Sequence, residues 1–325
     1  MHPKTSVTIF KVLNNIENIL NSSIPLEDKI KLITLKMREY WFYFYAKHTM
    51  YSLKKYKRIM NIPLQTNIIN SKTWNFLIIL DACRFDLFAE NIYDYLDGHL
   101  IKAYSPASYT TQWLEKTWTR VYLDITYISA TPYVNSFIPL CRFDPRKKFS
   151  EIIDAWKLYW DWKYCTVPPW KVNKLTMLIL KVKGLRKAQK FQKRRFVIHY
   201  VQPHAPYLNE RTPLFLPPYA RYSEDSMLRK RGELGKGIPL PLMIIAYLYN
   251  MFKKKDYVDE ILRKAYVSNL RTVLKYVADL ITEIDGPIII TSDHGELLGE
   301  YGIYFHPFDI PLPELRIVPI FIVRS

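Results

Sequence analysis

The sequence predicts an α/β protein with a mostly parallel central sheet, helices on both faces and an N-terminal helical extension. Three observations carry this expectation. From Trp74 onward, short apolar runs alternate with longer amphipathic stretches, as parallel strands and their crossover helices do. Two of the runs, Phe76–Leu80 and Ile288–Thr291, are apolar along almost their whole length, as strands buried on both faces are, and acids follow them at Asp81 and Asp293. The chain has 325 residues, 49% hydrophobic and 15% aromatic, which suffices for one large core and excludes general disorder.

Residues 1–72 are lysine-rich and periodic. Ile9, Val12, Leu13, Ile16, Ile19 and Leu20 recur at helical spacing, and Ile30, Leu32 and Ile33 follow the start signal Pro25-Leu26-Glu27-Asp28. Two or three helices without recognisable chemistry are expected there, ahead of the α/β domain over 73–325. Within that domain the patterns predict strand Phe76–Leu80, a helix over 84–96, a short strand over 101–104 and the start of a helix over 112–118. Strands over 125–129 and 196–201 follow, then a long amphipathic helix over 258–284 and strands Ile288–Thr291 and Ile317–Val323. Residues 142–190 and 208–254 are rich in prolines and basic clusters and lack clear strand order. They are expected to be insertions that shape a substrate pocket. The apolar stretch over 239–252 falls short of the ~20 residues a membrane span needs, so a buried or interfacial helix is expected.

Lys and Arg number 47 against 30 Asp and Glu, a formal charge of +17. A basic chain suits nucleic acid, an anionic membrane or an anionic small substrate. The cations cluster over 47–58, 181–195 and 229–236, away from the apolar runs that end in acids, and no nucleic-acid-binding motif accompanies them. Residues 156–164, Trp-Lys-Leu-Tyr-Trp-Asp-Trp-Lys-Tyr, interleave aromatics with lysine in the manner of interfacial segments. Two readings stay open: peripheral association with an anionic membrane, and a solvated face. Cys83, Cys141 and Cys165 are odd in number and irregularly spaced, which fits neither a disulfide framework nor a zinc cluster. No apolar core of signal-peptide length opens the chain, and no window reaches ~18 uncharged apolar residues. A cytoplasmic protein is expected.

The chemistry is concentrated where apolar runs stop. Residues 288–296 read Ile-Ile-Ile-Thr-Ser-Asp-His-Gly-Glu, and residues 74–84 read Trp-Asn-Phe-Leu-Ile-Ile-Leu-Asp-Ala-Cys-Arg. In a parallel sheet the C-terminal ends of strands share one edge, so Asp81 and Asp293 converge there. A hard oxygen donor beside the imidazole of His294 suits a divalent cation. The chain must turn at once after Ser292, and Gly295 is expected to supply the positive φ such a turn often needs.

These segments resemble the sulfatase-like branch of the alkaline phosphatase superfamily. The resemblance rests on four motifs in the family's order within residues 74–325: the strand and acid at 76–88; Ser105-Pro106-Ala107-Ser108-Tyr109-Thr110-Thr111; Gln202-Pro203-His204-Ala205-Pro206-Tyr207; and 291–300 with His306-Pro307 and Val318-Pro319-Ile320. It implies a metal-dependent hydrolase or transferase acting on phosphate or sulfate esters. A divalent cation (Mn, Zn, Mg or Ca) would sit among Asp81, Thr110, Asp293 and His294, and the partner would be an anionic ester.

Group transfer of this kind needs an oxygen nucleophile activated by a cation, and a hydroxyl at a helix N-terminus gains from the amides there. Thr110 meets both demands, with Thr111 and Ser108 as competitors and a plain helix N-cap as the bland reading. The cysteine of classical sulfatases, set in Cys-x-Pro-x-Arg, has no counterpart, which tilts the expectation toward phosphate esters. By resemblance, His204 contacts substrate or protonates the leaving group, and His306 serves a substrate or a second metal. Thr111 is expected at the substrate. Gln202 stands where two-metal relatives have an aspartate, which argues for one metal site. Arg84 is expected either to hold a substrate oxygen or to pair with Asp86 or Glu90. His2, His48 and His99 lie outside the motifs, and His199, inside a strand, reads as structural. The alternatives are a two-metal phosphodiesterase and a catalytically weakened accessory protein that binds membrane or glycan.

Overall fold

The computed structural model describes residues 18–26, 28–29, 32–33, 62–71, 73–183, 194–208, 255–300, 304–306 and 311–324. The chain divides into two compact units, Met1–Met60 with Ile310–Leu312, and Asn61–Asp309 with Pro313–Ser325. In the first, a short helical stretch at 18–20 runs into turns, and a helical segment resumes at Leu26 beside the Pro25 start signal. The rest of the expected N-terminal helices, and the apolar stretch at 239–252, lie outside the described residues.

The second unit is built on a seven-stranded sheet. In chain order its elements are α1 (Gln65–Ile69), β1 (Phe76–Leu80), α2 (Phe85–Asn91), β2 (Gly98–Tyr104), α3 (Thr110–Thr117), β3 (Tyr122–Ser129), β4 (Phe149–Asp154), α4 (Ala155–Leu158), α5 (Pro169–Val182) and β5 (Arg195–Tyr200). They continue with α6 (Lys255–Ile281), β6 (Ile288–Thr291), the two-residue strands β7 (Leu297–Leu298) and β8 (Tyr304–Phe305), α7 (Pro313–Arg316) and β9 (Ile317–Val323). The sheet order is β2-β9-β6-β1-β5-β3-β4. The β6-β1, β1-β5, β5-β3 and β3-β4 pairings are parallel, and β9 runs antiparallel to both β2 and β6.

Alternation along each strand sends side chains to two cores. Phe76, Ile78 and Leu80 of β1, with Phe196, Ile198 and Tyr200 of β5, join Leu87 and Phe88 of α2, Val172 and Leu175 of α5, and Tyr266, Leu270 and Val273 of α6. Leu77, Ile79 and Val197 face the other way, onto Trp113 and Leu114 of α3, Ile69 of α1 and Trp118. β1 and β5 are therefore buried on both faces, and β1 reads as a continuous apolar run.

Among the features that differ from the sequence expectation, two bear on the sheet and the site. Residues 149–154, inside the expected insertion at 142–190, form edge strand β4 paired in parallel with β3. Its sequence, Phe-Ser-Glu-Ile-Ile-Asp, is half-exposed along the middle, so neither a continuous apolar run nor a clean alternation marks it. Residues 65–69, placed ahead of the catalytic domain, belong to the second unit, and buried Gln65 lies behind the site. Among the described residues no helix is long and apolar enough to cross a membrane. The cytoplasmic placement expected from the sequence finds no support in the structure.

Candidate active site

The C-terminal ends of β1, β5 and β6 lie side by side, with Leu80 level with Tyr200 and Ile79 with Thr291. The loops leaving them carry the candidate residues. After β1 the chain passes through Asp81 into Ala82, whose φ is +57°. A left-handed alanine is held only when its surroundings fix it, and here they do. The Ala82 amide donates to Asp293 Oδ1 (3.0 Å), the Cys83 amide to Ser292 Oγ (2.7 Å), and the Tyr266 hydroxyl of α6 to the Ala82 carbonyl (2.7 Å). The loop after β1 is thereby tied to the loop after β6.

Every residue of the motif at 291–296 is buried. Gln65 Nε2 donates to the Thr291 hydroxyl (2.8 Å) and the Ser292 carbonyl (2.5 Å), while Trp113 of α3 donates to Gln65 Oε1 (2.8 Å). Gly295 does not take the positive φ expected of it; among the described residues Gly286 and Gly299 are the glycines that do. The need is closeness instead, since a Cβ on Gly295 would lie 1.8 Å from the Glu314 carbonyl oxygen. This approach lets the Gly295 amide bond the Leu315 carbonyl at 3.0 Å.

The ring of His294 stands at the centre. Its Nδ1 lies 2.8 Å from the Gly295 carbonyl oxygen, which can only accept, so the proton sits on Nδ1 and the Nε2 lone pair faces inward. Around that lone pair are Asp293 Oδ2 at 3.2 Å, Thr110 Oγ1 at 3.2 Å and Asp81 Oδ1 at 3.7 Å. Asp293 Oδ2 has no hydrogen-bond partner among the described residues. Burial, reinforced by the nearby His306, holds the His294 pKa well below the usual histidine range, so the ring stays neutral. Two carboxyl groups and a lone-pair nitrogen converge there, a donor set that a divalent cation fits. All four residues named as ligands from the sequence are thus brought together.

Thr110 is the first residue of α3 and is buried. Its hydroxyl turns toward His294, and no side chain caps α3, so the bland N-cap reading does not describe it. Thr111 is partly exposed on the next position of the helix. Ser108 is fully buried, and Ser105 supports the site by donating to the Asp293 carbonyl at 2.5 Å.

A second group borders the first. His306 Nδ1 is 2.9 Å from Glu296 Oε1, and the His306 ring lies 4.4 Å from that of His294 and 5.0 Å from that of His204. His204 directs Nδ1 to the Ala205 carbonyl. His204, Glu296 and His306 each offer an atom within 4.8 Å of the others, a spacing that also suits a cation. Burial would lower the His306 pKa, but the Glu296 carboxylate outweighs it and raises the value; for His204, burial and then His306 lower it. Sequence reasoning assigned Glu296 no role, although it lies three residues beyond Asp293 in the same motif. Gln202 points elsewhere, its amide nitrogen reaching toward Thr166 Oγ1 (3.4 Å) and the Val167 carbonyl (3.3 Å).

The guanidinium of Arg84 forks onto Asp86 at 2.9 and 2.6 Å, reaches the Glu296 carbonyl at 3.3 Å and bonds Glu300. This is the pairing alternative rather than the hold on a substrate oxygen, because its donors are already directed to protein acceptors. His199, read as structural, lies with its Nε2 3.9 Å from Asp81 Oδ2.

No protein-family model matches this sequence, and no curated protein does. Solved structures do resemble the fold. The soluble domain of lipooligosaccharide phosphoethanolamine transferase A from Neisseria meningitidis is 13% identical, with 78% of each chain covered and a TM-score of 0.46. The integral membrane form of that enzyme is 13% identical with a TM-score of 0.48; the match takes in 91% of this chain and 60% of that one, so this chain spans less than two thirds of it. The C-terminal periplasmic domain of EcEptC from Escherichia coli, in complex with Zn, is 13% identical over 77% of this chain and 72% of that one, with a TM-score of 0.44. At scores below 0.5 these structures add no weight to what the sheet order and site geometry establish.

Proposed function

We propose that this chain is a cation-dependent enzyme that transfers or hydrolyses a phosphate ester, with Thr110 as nucleophile. The observation that carries the reading is the convergence of Thr110 Oγ1, Asp81 Oδ1 and Asp293 Oδ2 on the unprotonated Nε2 of His294. A divalent cation held there would make the hydroxyl more acidic and neutralise ester oxygens. Thr110 gives up its hydroxyl proton to solvent as Oγ1 attacks phosphorus and the bond to the leaving oxygen breaks; an alcohol or water, losing its own proton, then takes the phosphoryl group, and Thr110 leaves with a proton regained. The amides at the N-terminus of α3 face the anionic ester and favour its charge. His306, whose raised pKa favours its protonated form, delivers a proton to the leaving oxygen, and neutral His204 beside it orients the same group.

A panel of p-nitrophenyl phosphate, bis(p-nitrophenyl) phosphate and p-nitrophenyl sulfate, each with Mn, Zn, Mg or Ca, tests the reaction class. Phosphate esters should turn over and the sulfate should lag. Equal turnover by wild type and Thr110→Ala would refute the nucleophile. The cluster of His204, Glu296 and His306 supports a second reading, a two-metal phosphodiesterase, which predicts two bound cations and a preference for the diester.

A further inference from the structure

His199 is the one fully buried histidine near the site that the mechanism above does not use. It is the penultimate residue of β5, level with Ile79 of β1 and Ser129 of β3, on the face of the sheet shared with Trp113 and Tyr127. Apart from Ser129, which is level with it on β3, its neighbours on that face are aliphatic or aromatic, so packing alone does not call for an imidazole. A polar ring there calls for polar partners.

One partner is plain. The Tyr127 hydroxyl is 2.9 Å from His199 Nδ1. On the opposite side of the ring, Nε2 has no hydrogen-bond partner among the described residues and lies 3.9 Å from Asp81 Oδ2. The other oxygen of the same carboxylate, Oδ1, faces His294 Nε2 at 3.7 Å. Asp81 is therefore set between two histidines, one oxygen toward each.

The two tautomers of His199 differ sharply here. With the proton on Nδ1, the ring would donate to Tyr127, and the Nε2 lone pair would face a carboxylate, acceptor against acceptor. With Tyr127 donating into Nδ1, the proton sits on Nε2 and points at Asp81 Oδ2, donor against acceptor. The second arrangement satisfies the tyrosine and Nδ1, and it aims the Nε2–H at a carboxylate oxygen instead of setting a lone pair against it. The 3.9 Å separation exceeds a hydrogen bond by ~1 Å, so the pair acts as a charge–dipole attraction across a buried gap.

We infer that His199, held in this tautomer by Tyr127, is a positioning residue that grips the outer oxygen of Asp81 and so presents its inner oxygen to the cation. The inference rests on the cation site proposed above. Partners that orient a ligating carboxylate in this way typically matter ~10–100-fold in metal affinity.

The test measures Zn²⁺ affinity by competition with a chromophoric chelator in wild type, His199→Leu, His199→Gln, Tyr127→Phe and Asp81→Asn, with the cobalt absorption spectrum of each and circular dichroism of the metal-free proteins. His199→Leu should bind ~10–100-fold more weakly. Glutamine, whose amide N–H sits close to where the Nε2–H was, should recover most of the loss, and Tyr127→Phe should fall between. The cobalt band of the saturated variants should keep its position, because the ligands are unchanged. Wild-type affinity in His199→Leu overturns the inference. So does a shifted cobalt band with no rescue by glutamine, which would make His199 a ligand. If the leucine variant fails to fold, wild-type affinity in Tyr127→Phe overturns it equally well. Zn²⁺ binding that survives in Asp81→Asn would instead sink the cation site itself, a result separate from a failure at His199.

Discussion

At the residue scale, Thr110 and Gly295 make opposite demands on a substitution. Thr110→Ser keeps a hydroxyl at the start of α3 and should retain measurable turnover. Thr110→Ala should lose turnover by orders of magnitude with little change in thermal midpoint, since no capping bond is lost. A matched loss in Thr111→Ala with Thr110→Ala active would move the nucleophile by one residue. Gly295→Ala should act on stability first: its Cβ meets a backbone oxygen that cannot swing aside, at a cost of about 1–3 kcal/mol or more. Denaturant unfolding reads this directly, and an unchanged midpoint would contradict the close approach to Glu314.

Much of this was legible in the sequence, because Asp81, Asp293 and His294 stand at the ends of apolar runs whose direction the sheet fixes. What escaped was what the third dimension adds. Glu296 gains a role only when His306 folds back over it, and His199 only when β5 lies beside β1. The glycine was read for its φ when its value lies in what passes beside it.

At the scale of elements, the strands buried on both faces were readable as apolar runs and β4 was not, because an edge strand needs only half a core. Gln65 shows the same limit: a short helix outside the alternating pattern carries a buried amide that ties Thr291, Ser292 and Trp113 together. Arg84 tests whether the start of α2 is structure or substrate contact. Its side chain is 5% exposed, while Asp86 and Glu300 are 48% and 26% exposed, so solvent screens the partners. Arg84→Met should lower stability by about 1–3 kcal/mol and lower activity only in step with the folded fraction. A raised KM with an unchanged thermal midpoint would return Arg84 to the substrate.

At the scale of the whole molecule, the charge of +17 is a separate question from the chemistry, and the basic clusters at 47–58 and 229–236 lie outside the described residues. The aromatic and lysine-rich segment anticipated from the sequence does present apolar surface: Leu158 is 62% and Trp162 68% exposed, with Lys157 stacked over Phe137. If that face meets a membrane, binding should require anionic lipid, at about 1 kcal/mol per cation near the surface, and should weaken as salt shortens the ~10 Å Debye length at 0.1 M. Sedimentation with neutral and anionic vesicles at low and high salt measures this. Equal partitioning to both, or to neither, would make the charge a solvated face.

The most direct measurement for the whole account is anomalous diffraction from crystals of the Zn²⁺- or Mn²⁺-loaded protein. A peak should lie within about 2.0–2.3 Å of oxygen or nitrogen atoms of Asp81, Thr110, Asp293 and His294. A peak only among His204, Glu296 and His306, or none near His294 at saturating cation, would contradict the account.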